Sequence, residues 1–161
     1  MIPVAIALGS NVGDREQYLR DAVASLSPFV SSIRLSRLIE TEPVDMGDGQ
    51  RRVVNAAATG ETTLSARDLL GRMLDIELQL GRTRPHPGAA RTVDLDLILY
   101  GGDVIDEPPL LIVPHPRFRD RLFVLEPLVD VAPDWTDPVT GLTIAQLLEN
   151  LRDVERGDRA Q

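Results

Sequence analysis

The chain has 161 residues, 43% of them hydrophobic and 26% charged, with a formal net charge of −8, a make-up expected of one globular domain spanning residues 1–161. The absence of cysteine excludes disulfides and thiolate chemistry, and no apolar run approaches the length of a membrane span. Net acidity argues against broad nucleic-acid or membrane-surface binding, and without a basic N-terminal flank the expectation is a cytoplasmic chain.

Residues 2–8, "IPVAIAL", are short, apolar and partly β-branched, and Gly9-Ser10-Asn11 ends them, which predicts a strand and a turn. From Asp14 the period changes. Tyr18, Leu19, Ala22, Val23 and Leu26 recur at helical spacing, with Asp14 and Glu16 near the N-terminus and Pro28 after the end. Val30, Ile33, Leu35 and Leu38 mark a second strand. The stretch from Glu42 to Arg52 contains Pro43, Gly47 and Gly49 and is too long for a plain hairpin, so it is expected to be a functional loop.

A third strand is predicted from Val53 to Thr62. A second helix begins near Ser65, whose pairing with Asp68 resembles a capping box. Leu69, Met73, Ile76 and Leu80 form its apolar face and Gly81 stops it. Residues 82–90, with two prolines and a glycine, read as a loop before the fourth strand in "RTVDLDLILYGG", residues 91–102. Beyond Gly102 the expectation is proline-rich loops, short edge strands at Val104-Ile105 and Leu110–Val113 and a last helix near Thr143 to Leu151, and residues 152–161 are expected to fray. The order strand-helix-strand, strand-helix-strand predicts an α+β fold: a ferredoxin-like βαββαβ core whose antiparallel sheet carries both helices on one face, with extra C-terminal short strands and a helix.

The fourth strand poses a chemical question, because Asp94 and Asp96 interrupt a buried apolar run. Strand side chains alternate, so the two carboxylates share one face while Val93, Leu95 and Leu97 take the other. Like charges that close repel unless a cation or a shared proton relieves them. Mg²⁺ suits such a pair, with water and substrate phosphate completing its shell, and two ions could clamp both oxygens of an in-line displacement. The alternative is a strand whose acidic face is simply wet. All 17 basic residues are arginine, so the lysine-dependent phosphate-loop and protein-kinase patterns are excluded. Arg82, Arg84 and Arg91 flank the acidic strand and Arg117, Arg119 and Arg121 cluster later, either as grips for a polyphosphate or as ordinary surface residues.

Glu77 sits on an otherwise apolar helix face, at the core margin or aimed into a site. Asn55, early in an apolar strand, needs partners for its amide, which a flat heterocycle could supply. His115, between two prolines, is a phosphate contact or a turn residue. His86 reads as exposed loop with no role.

Taken together, "ALGSNVGD", "TEPV", "VNAA", "ELQLGR", "RTVDLDLILYGG" and "VPHPRFRDRLFVLEPLVDVAPDW" resemble, over nearly the whole chain and in order, the 6-hydroxymethyl-7,8-dihydropterin pyrophosphokinases of folate biosynthesis. The resemblance implies transfer of pyrophosphate from ATP to the pterin hydroxymethyl group, giving the pterin diphosphate and AMP. It implies two Mg²⁺ ions on Asp94 and Asp96, with Arg82 and Arg91 acting on the phosphates in catalysis. Glu77, Arg84, Ile98, His115 and Arg121 join them in binding ATP. Thr41, Pro43, Val44 and Asn55 would hold the pterin, with Phe123 stacked on its ring. Two departures stand out: many members carry a tryptophan in the loop that here reads "PHPGAAR", and an aromatic where Val53 stands. The implied chain is a monomer that binds neither nucleic acid nor membrane. The competing reading is a non-catalytic, metabolite-binding ferredoxin-like regulatory domain.

Overall fold

The computed structural model describes residues 1–11, 13–41, 53–81 and 92–160, the side chains of 158–160 excepted. The central strand, β1 (Ile2–Ser10), is hydrogen-bonded on both edges and buried from Val4 to Leu8. Helix α1 (Arg15–Leu26) follows, and the Asp14 side chain caps it by accepting the Gln17 N–H at 3.2 Å.

The single strand expected from residue 30 to 38 is two strands, β2 (Ser31–Leu35) and β3 (Ile39–Thr41). Both pair with the long β4 (Val53–Thr62). The interruption has a local cause at Ser36. Its backbone N–H donates to the Ala57 carbonyl and its Oγ accepts the Ala57 N–H, each at 2.8 Å, so one buried serine satisfies the residue opposite the break.

Helix α2 (Ala66–Leu80) starts on Ser65, whose Oγ accepts the Asp68 N–H at 3.1 Å, and ends at Gly81, as the sequence predicts. Strand β5 (Asp94–Tyr100) completes a sheet of order β2-β4-β1-β5, with antiparallel neighbours and β3 beside β4. This is the ferredoxin-like order. The short strands β6 (Ile105–Glu107) and β7 (Leu111–Val113) pair with each other in a separate two-stranded sheet and do not extend the main one.

Two further helices differ from expectation. A 3₁₀ turn (Phe118–Asp120) leads into α3 (Leu122–Val131), a stretch expected to be proline-rich loop. The last helix, α4 (Ile144–Ala160), runs on through residues 152–160, where fraying was expected.

The sheet has a core on each face. Val4, Ile6, Leu8, Leu95 and Leu97 pack with Leu19, Leu26, Leu69 and Met73 of α1 and α2. On the other, upper face Ala5, Ala7, Ala57, Ile98 and Leu99 pack with Phe118, Leu125, Leu128 and Ile144 of the 118–144 region. Ile98 is the extra residue of a bulge, since Ala5 pairs with Leu99 and Ile6 with Leu97. The two core helices of the βαββαβ unit therefore share one face, and the C-terminal helices cover part of the other.

Candidate active site

Register across three strands builds the site. Gly9 of β1 pairs with Asn55 of β4 on one side and with Asp94 of β5 on the other. Two residues along, Ala7 pairs with Ala57 and Asp96 in the same way. Cross-strand partners share a face, so Asn55, Asp94 and Asp96 stand on the face that carries α3 and α4, away from the Leu95 and Leu97 core. Glycine and alanine between them leave a shallow trough. A Cβ on Gly9 would lie 3.3 Å from Asn55 Oδ1 and 3.6 Å from Val53 Cγ1, so even an alanine would crowd it.

At one end of this row Asn55 is buried, and its Nδ2 donates to Thr41 Oγ1 at 2.7 Å. At the other end Asp94 is exposed and Asp96 half-buried. Their carboxylates are hard oxygen donors on one face of one strand, a donor set that fits a divalent cation shared with phosphate oxygens. Among the described residues no three His, Asp or Glu side chains form a larger metal-binding group.

β5 is also the edge of the sheet, and Glu77 serves that edge. Its Oε2 accepts the outward-facing Leu95 N–H at 2.8 Å, a donor that the β1 ladder does not use. An acidic residue on an apolar helix face thus has a structural partner. It also lines a cleft of about 400 Å³ with Leu70, Leu74, Asp94, Leu95, Asp96 and Leu110. Leu74 is 38% and Leu110 70% exposed. These two leucines were not foreseen, since an isolated exposed leucine carries no signal in a sequence.

The third wall is residues 114–123. The His115 N–H donates to the Ile98 carbonyl at 3.1 Å, and its Nδ1 accepts the Arg117 N–H at 3.2 Å. Burial pushes the imidazole below its ordinary pKa, Arg121 and Arg117 push the same way, and Asp96 opposes them. His115 therefore stands within electrostatic reach of both the acidic strand and Arg121. With Nδ1 engaged as acceptor, the neutral ring presents Nε2–H as a donor. Arg121 lies over the half-buried Phe123 ring, 5.5 Å from its centroid.

The structure brings together Glu77, Asp94, Asp96, His115 and Arg121, with Asn55 and Thr41 at the far end of the row and Phe123 beside Arg121. Ile98 sits apart from solvent. Its side chain is 1% exposed in the upper core, so what it offers the site is the carbonyl that anchors His115. Pro43, Val44, Arg82, Arg84 and Arg91 lie outside the described residues.

Fold and site together define an α+β protein with a carboxylate pair, a histidine and an arginine converging beside a cleft of mixed lining, the equipment of a phosphoryl-group transferase. Comparison with known proteins narrows this. Residues 5–133 match the family model described as 7,8-dihydro-6-hydroxymethylpterin-pyrophosphokinase (HPPK). The 2-amino-4-hydroxy-6-hydroxymethyldihydropteridine pyrophosphokinase of Bacillus subtilis is 47% identical over 128 residues, 78% of this chain and 75% of that protein. The folic acid synthesis protein fol1 of Pneumocystis carinii is 38% identical over 93% of this chain, which spans only 20% of that longer protein. A crystal structure of Plasmodium falciparum HPPK-DHPS, 14% identical, superposes with a TM-score of 0.76 over 92% of this chain and 44% of that one, which supports the fold. The chain belongs to the 7,8-dihydro-6-hydroxymethylpterin-pyrophosphokinase family. Its activity is that family's pyrophosphoryl transfer in folate biosynthesis.

Proposed function

We propose that the whole chain works as one catalytic unit, monomeric and cytoplasmic. It transfers the β,γ-pyrophosphoryl group of ATP to the hydroxymethyl oxygen of 6-hydroxymethyl-7,8-dihydropterin. That oxygen bonds to the β-phosphorus, the bond from the β-phosphorus to the oxygen bridging it to the α-phosphorus breaks, AMP leaves, and the hydroxyl proton passes to solvent. The observation that carries this reading is the row Asn55–Gly9–Asp94, which sets an amide and a carboxylate pair on one face with a glycine between them.

In this reading the pterin edge is read by Asn55, whose amide Thr41 steadies, with Pro43 and Val44 beside it and Phe123 on the ring. The nucleotide base lies in the cleft at the β5 edge against Leu74 and Leu110, near Glu77. The phosphates run over Asp94 and Asp96, where His115 Nε2–H and Arg121 donate to them, joined by Arg82, Arg84 and Arg91. Two Mg²⁺ ions held by the aspartates would neutralise the phosphate charge there. Phosphoryl-type transfer needs little covalent help from the protein, so these side chains contribute by orienting the two substrates and stabilising charge. With His115 a donor, no side-chain base is required.

The test is to incubate the chain with ATP, Mg²⁺ and the hydroxymethyl pterin. AMP with pterin diphosphate is expected; ADP would mean simple phosphoryl transfer, and no consumption of ATP would leave a regulatory, ligand-binding role.

The trough makes its own prediction. Gly9→Val keeps a strand-compatible residue but fills the space beside Asn55. It is expected to raise KM for the pterin by about tenfold or more, with a smaller effect on KM for ATP. Steady-state kinetics in each substrate decide it, and an unchanged pterin KM would put the pterin elsewhere.

A further inference from the structure

Arg119 and Arg121 stand two residues apart on the turn that enters α3, yet they face different surroundings. Arg121 faces His115 and Phe123. Arg119 turns away, lies 4.7 Å from the centroid of the fully buried Phe118 ring, and grips Asp137 with a two-pronged fork, Nε to Oδ2 and Nη2 to Oδ1. Asp137 is 0% exposed. Its carboxylate also accepts the Val139 N–H at 3.0 Å and the Thr140 hydroxyl at 2.7 Å, so its oxygens are fully engaged by the turn that precedes α4.

The fork therefore ties the 3₁₀ turn to the α4 turn, with Phe118 seated in the core between α3 and the sheet. Beyond the fork in one direction is His115, whose carbonyl accepts the Phe118 N–H at 3.4 Å. In the other is Arg121, whose carbonyl accepts the Val124 and Leu125 N–H groups at 3.0 Å and so starts the helix. We propose that Arg119, held by Asp137, is a positioning residue that fixes Arg121 and His115 over the Asp94–Asp96 strand. It touches no substrate. A bidentate guanidinium–carboxylate pair sets direction as well as distance, and a displacement of about 1 Å at a reacting group can lower a rate by about a hundredfold. The inference rests on the transfer reaction proposed above.

The experiment uses the full chain as wild type, R119Q, R119K, R121A and R119Q/R121A, at a temperature where melting curves show every variant fully folded. Single-turnover AMP formation should fall by about tenfold or more in R119Q, with KM for both substrates changed much less than the rate. R119K, which keeps the charge without the planar fork, should recover only part of the loss. In the R121A background, R119Q should cost clearly less than it does alone, because only His115 is left for it to position. A wild-type transfer rate in folded R119Q, or the same fold-loss with and without Arg121, would make the fork a stability element alone and overturn the proposal. A wild type that forms no AMP would remove the functional reading and this inference together, whereas an active wild type with an indifferent R119Q removes only this one.

Discussion

Replacing Asp96 or Asp94 by asparagine is expected to lower AMP formation by about a thousandfold or more, with the fold unchanged. Asparagine matches aspartate in shape but lacks the charge that would hold a cation, so the substitution separates electrostatics from packing. Asp94 is exposed and Asp96 half-buried, and neither belongs to the hydrophobic clusters on either face of the sheet. Circular dichroism should therefore match wild type. Without Mg²⁺ the Asp96→Asn variant should melt no lower than wild type, since two like charges on one face of β5 are reduced to one. Added Mg²⁺ with a non-hydrolysable ATP analogue should raise the wild-type melting temperature and raise the variants' much less. Near-normal Mg²⁺-dependent turnover in either variant would refute the proposed metal role.

The second large effect concerns stability in acid. The Asp137 carboxyl is held down from the usual carboxylate range to about 2. Burial pushes the other way, and the bonds from Arg119, Thr140 and the Val139 N–H outweigh it. The unfolded chain then takes up this proton before the folded one does. The resulting stabilisation is complete above about pH 4, declines as pH falls, and is gone below about pH 2. A shift from 3.8 to about 2 corresponds to about 2 kcal/mol. Asp137→Ala, which leaves the Arg119 guanidinium without its partner, should cost more, about 3–5 kcal/mol. Denaturant unfolding of wild type and Asp137→Asn between pH 5 and pH 2 tests the linkage: the gap between the two should close as the pH is lowered. A gap independent of pH would mean that the carboxylate charge contributes nothing.

Much of this molecule is legible from residue spacing because its central elements obey simple periods. Leu19, Ala22 and Leu26, or Leu69, Met73 and Ile76, each trace one face of a helix, and Asp14 and Ser65 cap where capping residues should. The alternation Asp94-Leu95-Asp96-Leu97 puts the carboxylates on one side of β5. That alternation fails two residues later, where Ile98 and Leu99 both join the upper core, and only the register with β1 reveals the bulge.

Helix α3 was hidden for a different reason. Leu122 to Val131 is apolar on nearly every side, because the sheet, α4 and the 3₁₀ turn surround it, so no stripe marks its period, and Pro127 reads as a breaker. Asp137 carries no signal in the sequence, because its bond to Arg119 joins residues 18 apart. Glu77 was ambiguous because its partner is a backbone N–H on another element, which no side-chain pattern can announce. The direction of α4 past Leu151 was misread because its solvent-facing residues are densely charged, while Arg156 and Asp153 pair with each other along the helix.

The outer border of the sheet has a consequence beyond chemistry. A strand with a free flank invites a neighbouring molecule to add its own strand there. On β5 the Leu95 amide already holds the Glu77 carboxylate, and Asp94 and Asp96 give the same strand a negative charge. An identical chain approaching that flank would meet an occupied donor and a charge like its own. The groups proposed to meet a nucleotide at this border also protect it from aggregation.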